Sequence, residues 1–360
     1  MTTFADVPEQ REAKRLLEAA LADGPAHAYL FHGPAGVGKR AAARALAGEL
    51  LGDPRRVDGG MHPDLRVVEA LGEMIRIDEI RALHHDLHMR PFEADRRVYL
   101  VFDAHRLNDD AAASLLKDLE EPPAYATLVL VADELGPLPE TIRSRCQLVP
   151  FRRLSRGAIE SWLAAREPTL EPDELRLLSR VAGGRLDRAA RLLDEPARAR
   201  RSALLDVARS AYRDEKFDPA AAAAVVLGSA GELGAAARER ERALVEPLDL
   251  PARDTEQRIR RAEFGAERAE LLAALDDLGA WYRDLVVVAS GAESAVVNAD
   301  RLEQLRLDAE GAGEHAGDAA EIVREVWRIA EELNVSASLA LEALFVRLRR
   351  AFSPGVPAAR

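Results

Sequence analysis

The spacing of apolar positions changes character several times along the 360-residue chain. Over residues 8–23 they recur every three to four positions, which predicts an amphipathic helix. "AYLFHG" (28–33) is a short continuous apolar run closed by glycine, the pattern of a buried strand. "KRAAARALAGELLG" (39–52) returns to helical spacing. The same alternation continues, with strands expected over 64–70, 96–104 and 126–133 and helices over 77–89, 108–121 and 139–146. A last short strand is expected at "QLVPF" (147–151), and Asn108 is placed to cap the helix that follows it. Strands alternating with helices imply an α/β fold with a parallel sheet covered on both faces.

After about residue 152 the strand signals stop. Residues 154–205 read as short helices interrupted by "AGGR" (182–185), and 206–352 as helical, with loops near 227–232, 290–300 and 311–317. The expected organisation is an α/β domain over 1–152, a small helical lid over 153–205, an all-α domain over 206–352 and a flexible tail over 353–360.

Composition narrows the class. Hydrophobic residues make up 48% of the chain and charged residues 31%, as in ordinary globular proteins. The net charge of −12 argues against gripping nucleic acid by bulk charge and leaves room for a local basic groove. The single cysteine, Cys146, excludes an intrachain disulfide and a Cys-rich zinc site, and fits a reducing cytosol. No uninterrupted apolar run reaches about 18 residues, so no membrane span is expected. His84 and His88 stand four apart on one expected helix, but no acid follows the H-E-x-x-H spacing, and no metal site is expected.

The chemistry concentrates at "GPAGVGKR" (33–40), between a strand and a helix. Gly33, Gly36, Gly38 and Lys39 fit the phosphate-binding loop G-x-x-x-x-G-K-[ST], whose glycines turn backbone N–H groups inward and whose lysine reaches the phosphates. The final hydroxyl, which would ligate magnesium, is replaced by Arg40, a group with donors only. The acidic partner of such a loop lies at a strand end. Here "VYLVFDAHRLN" (98–108) ends its apolar run in Phe102–Asp103, with one acid where hydrolysing proteins of this kind carry two. Two readings stand: a weak anion or nucleotide site, or a loop that only preserves the fold.

"HAYLFHGPAGVGK" (27–39), "HPDLRVVEA" (62–70), "IRIDEIRAL" (75–83), "AAASLLKDLEEPP" (111–123) and "TIRSRC" (141–146) together resemble the bacterial clamp-loader AAA+ family. "NVSASLALEALFVRLRR" (334–350) resembles the closing helix of that family's C-terminal collar. The resemblance implies a P-loop, RecA-like parallel sheet with a helical lid and an all-α collar. It implies a non-hydrolysing subunit that helps load a sliding clamp onto primed DNA, with gamma/tau and delta subunits as partners. It gives Arg145 the role of an arginine finger offered in trans to a neighbour's ATP. The alternative role of Arg145 is to cap carbonyls at a helix end. The alternative within the family is an ATP-hydrolysing gamma/tau-type motor, which would need Ser or Thr at 40 and a second acid at 102. No cofactor is required on this reading, weak ATP, ADP or phosphate binding apart, and intrinsic catalysis is not expected. The chain also departs from the family by lacking four zinc-binding cysteines before "HPD" and by placing Asp187 where hydrolysing members carry a sensing arginine. Arg76 and Arg81 are candidate phosphate contacts to DNA.

Overall fold

The computed structural model describes residues 4, 6–69, 74–133, 135–248, 251–332 and 336–353, without the side chains of residues 248, 254, 331 and 332. It divides into two compact units, Met1–Ala190 and Arg191–Arg360.

In the first unit the order is α1 (Arg11–Asp23), β1 (Ala28–His32), α2 (Lys39–Leu51), α3 (Pro54–Asp58), β2 (Leu65–Val68), α4 (Ile77–Leu87), β3 (Arg97–Val101), α5 (Asp109–Glu120), β4 (Ala126–Ala132), α6 (Glu140–Arg143) and β5 (Gln147–Pro150), then α7 (Arg156–Arg166), α8 (Pro172–Ala182) and α9 (Leu186–Leu193), whose end passes the unit boundary. The five strands form one sheet in the order β2-β3-β4-β1-β5, parallel throughout. In register, Phe31 of β1 lies between Val131 of β4 and Val149 of β5.

The continuous apolar runs of the strands follow from burial on both faces. One face packs Tyr29, Phe31, Leu100 and Val131 against Leu17 of α1 and Leu46 of α2. The other packs Leu30, Tyr99, Val101 and Leu130 against Ile80 and Leu83 of α4 and Leu115 of α5. The C-terminal ends of the strands carry polar residues: His32 ends β1, Asp103 follows β3 and Asp133 follows β4. Local chemistry sets the helix starts. The Asn108 Oδ1 atom accepts from the Ala111 amide at 2.9 Å, as the sequence suggests, and Ser155 Oγ accepts from the Ala158 amide at 3.2 Å.

The second unit continues with α10 (Glu195–Arg213), α11 (Pro219–Val245), α12 (Ala252–Ala289), α13 (Leu302–Ala312), α14 (Ala316–Glu332) and α15 (Ala337–Ala351). Its core gathers Leu204 and Leu205 of α10, Leu278, Trp281, Tyr282 and Leu285 of α12, and Leu344, Phe345 and Leu348 of α15. Two buried carboxylates organise its polar interior. Asp308 accepts from Arg209 Nε and the Tyr212 hydroxyl, each at 2.7 Å, and pairs with Arg213 at 2.7 Å. Asp284 accepts from the Asn298 amide at 2.7 Å, and Arg201 joins Asn298 and Asp300 at 2.5 and 2.7 Å.

The pattern-based boundary at 205/206 falls inside α10, where Leu204, Leu205 and Ala208 enter one helical core. The loop expected at 227–232 is helix, because α11 runs unbroken through Gly228 and Gly231. A third glycine, Gly234, lets α11 approach α12 closely, since a Cβ there would overlap the Glu267 side chain. α11 is long and apolar enough by composition to cross a membrane. Glu232 interrupts its apolar run, and Ala222, Ala223 and Val226 contribute to the helical core. Residues 354–360 of the expected tail, and Asn334 and Val335 of the collar motif, lie outside the described residues.

Candidate functional site

The loop 33–38 leaves β1, which lies between β4 and the edge strand β5, and enters α2 at Lys39. Gly33, Gly36 and Gly38 have φ of 135°, 72° and 97°, backbone conformations that favour glycine, and the loop ends at the N-terminus of α2. The surroundings of the loop are filled by this chain's own groups.

Lys39 is 4% exposed and turns inward. Its ammonium donates to the carbonyls of Gly33 and Pro34, each at 2.5 Å, and pairs with Asp133 Oδ1 at 2.7 Å. A lysine ammonium has three donors, and all three are engaged. Burial pulls the Lys39 pKa down, Asp133 opposes it, and the net shift is downward.

Over Gly36 stands the first turn of α9. The Leu186 amide donates to the Gly36 carbonyl at 2.6 Å, and a Cβ on Gly36 would overlap the Asp187 carboxylate. Burial works to raise the Asp187 pKa, but the Arg185 guanidinium at 2.7 Å and the Arg188 amide outweigh it, and the net shift is downward. The loop thus faces a fixed negative charge. A side chain at Gly38 would meet Val7 and Leu186, and Gln10 bridges Val37 and Arg152, donating to both carbonyls and accepting from the Arg152 amide.

Arg40 points toward the end of β3. Its guanidinium pairs with Asp103 Oδ2 at 2.7 Å and Glu69 Oε1 at 3.1 Å and stacks over the buried Phe102 ring, 4.6 Å from the centroid. Burial lowers the Arg40 pKa, Asp103 and Glu69 raise it, and the net shift is upward. A guanidinium has no lone pair to give a cation, so this cluster neutralises the carboxylates without a metal and offers no hydroxyl ligand. The residues present do not fit a magnesium-bound nucleotide.

Arg145 follows α6. Its Nη1 donates to the Thr141 carbonyl at 2.9 Å, and its Nη2 pairs at 2.6 Å with Glu120, at the end of α5. In this chain alone the helix-end contact and an ion pair with "LEEPP" both hold the side chain. The neighbouring Cys146 is buried, and that burial pushes its thiol up to about 12. Arg76 donates its amide to Glu79 at the start of α4, and Arg81 pairs with Asp78 at 3.4 Å.

Sequence reasoning brought together the glycines, Lys39, Arg40 and Asp103. It missed Asp133 and Glu69, and it noted Asp187 only as a departure. Asp133 was marked by the signal that found Asp103, an acid closing an apolar strand run. Glu69 and Asp187 reach the site through loop and lid geometry, which periodicity does not encode.

A P-loop between a strand and a helix of a five-stranded parallel sheet, followed by short helices and an all-α unit, is the arrangement of the AAA+ class of α/β proteins. Residues 9–155 match the family profile described as DNA polymerase III, delta subunit. The chain is 35% identical over 185 residues to DNA polymerase III subunit delta' of Bacillus subtilis, covering 48% of this chain and 56% of that protein. It is 33% identical over 196 residues to subunit delta' of Pseudomonas aeruginosa, covering 50% and 60%. It is 30% identical over 304 residues to subunit tau of Salmonella typhimurium, covering 77% of this chain and 47% of that protein. The chain is thus similar to subunits of DNA polymerase III, and each of these matches spans less than two thirds of the relative's own length.

Proposed function

We propose that this chain is a delta-prime-like, non-hydrolysing subunit of a bacterial clamp loader. It works with gamma/tau and delta subunits to place a sliding clamp on primed DNA, and it offers Arg145 in trans to a neighbour's ATP. The observation that carries the reading is Arg40, whose guanidinium lies between Asp103 and Glu69 where a magnesium ion would serve a hydrolysing site. Asp187 against Gly36 and the fully engaged Lys39 ammonium support it, because both oppose a bound triphosphate. A gamma/tau-type motor would need a hydroxyl at 40 and a free lysine. On this reading the chain requires no cofactor of its own and acts in the cytoplasm at the replisome.

The test is reconstitution with the cognate gamma/tau and delta subunits, clamp and primed DNA. Omitting this chain should abolish loading. Lys39→Ala in this chain alone should leave loading and ATP turnover of the assembled complex within about twofold, assembly being checked by gel filtration. A loss of turnover on the order of 10²-fold in an intact complex would mean that this P-loop is a working motor site.

A further inference from the structure

The helices α4 and α5 pack side by side on the face of the sheet that carries Leu30 and Tyr99. His84 in the last turn of α4 and His88, the residue that caps its C-terminal end, stand four apart with ring centroids 4.8 Å from each other. Asp118 reaches them from α5, its Oδ1 lying 2.5 Å from His84 Nδ1. The candidate ligand atoms of all three residues lie within 4.8 Å of one another. The Asp118 side chain is 1% exposed, and its Oδ2 is a buried oxygen with no hydrogen-bond partner. Both histidines are open to solvent, which gives a cation access from one side.

We propose that His84, His88 and Asp118 form a site for a divalent transition-metal cation of the Zn²⁺ class. A buried carboxylate with one oxygen unanswered is costly, and a cation bound there would answer it. Two imidazoles and one carboxylate are the nitrogen and oxygen donors that Zn²⁺ accepts, and three protein ligands leave a fourth position for water. The imidazoles disfavour Mg²⁺ and Ca²⁺, which take oxygen donors. Tetrahedral Zn²⁺ with bonds of about 2.0–2.1 Å brings its donors to roughly 3.3 Å apart. The exposed His88 ring covers the remaining distance by a change of side-chain rotamer. Bound metal would fasten α4 to α5, whose last residue, Glu120, holds Arg145. The site itself does not depend on the function proposed for Arg145.

The experiment uses the full chain stripped with chelator. Zn²⁺ is titrated calorimetrically, Co²⁺ binding is followed by visible absorption, and melting temperature is read at each metal concentration. The expected result is saturable binding of one equivalent, a tetrahedral Co²⁺ spectrum and a melting temperature that rises with Zn²⁺. His88→Ala, an exposed change, should leave the metal-free melting temperature in place and weaken Zn²⁺ binding about 10-fold or more. Asp118→Asn should weaken it similarly. Absence of saturable binding, or wild-type affinity in His88→Ala, overturns the proposal. Wild-type affinity in a folded Asp118→Asn chain also overturns it, leaving a pair of surface histidines. Should Asp118→Asn not fold, His88→Ala decides alone.

Discussion

Arg145 is held by one carbonyl and one carboxylate of its own chain, at 2.9 and 2.6 Å. Both contacts are partly exposed, and exposed ion pairs contribute at most about 1 kcal/mol. Arg145→Ala should therefore leave the melting temperature of the isolated chain nearly unchanged while slowing clamp- and DNA-stimulated ATP turnover of the rebuilt complex. The loss should be partial, because a single neighbouring site would receive this finger, whereas a finger can contribute about 10³-fold or more at the site it serves. Turnover and assembly both equal to wild type would remove Arg145 from the mechanism. At this scale much was legible in sequence. The departure at Arg40 was visible in the motif, and Phe102 beside it was visible as a missing acid. The ion pair joining Arg40 to Glu69 was not visible, since Glu69 follows a different strand.

At the scale of elements, "HPD" illustrates how a motif becomes a support. Asp64 is buried and accepts from the amides of Phe92, Glu93 and Ala94 at 2.7, 2.9 and 2.9 Å, tying the start of β2 to the loop before β3. Burial pushes the Asp64 pKa up, but these amides and Arg97 outweigh it, and the net shift is downward. A carboxylate with a depressed folded pKa stabilises the fold above its unfolded value of about 3.9 and loses that contribution as pH falls through the folded pKa. Asp64→Asn should cost about 2–4 kcal/mol at neutral pH by denaturant titration. The gap from wild type should narrow below about pH 4. A gap that stays constant in acid would show that the charge of Asp64 contributes nothing. The strands and helices of this unit were legible because burial on both sheet faces leaves continuous apolar runs. The course of α11 was misread because Gly228 and Gly231 read as breaks in the sequence, whereas the helix carries both through with open space where their side chains would be.

At the scale of the whole molecule, the second unit begins before the position at which the apolar pattern suggests a boundary. Arg201, Leu204 and Leu205 precede residue 206, and the first of these is bound to Asn298 and Asp300. A fragment of residues 191–360 should melt cooperatively with high helix content by circular dichroism. A fragment of residues 206–360 lacks both buried leucines and leaves Asp300 without its guanidinium. It should melt about 10 °C or more lower, or without a cooperative transition. Equal melting of the two fragments would place the functional start of the unit at 206. The fragment 191–360 is also the one expected to co-purify with the corresponding helical regions of partner subunits.

The guanidinium beside Asp103 has one further consequence. A metal ion arrives with its nucleotide and leaves with it, so a metal-dependent P-loop has at least two electrostatic states and can report which one it is in. Here the positive charge is covalently part of residue 40 and is present from the moment the chain is made. Chelating magnesium, or exchanging one nucleotide for another, leaves the charge balance at the end of β3 where it was. On the function proposed for it, this subunit keeps no time within an ATP-driven ring, and every change of phase in the cycle originates in its neighbours.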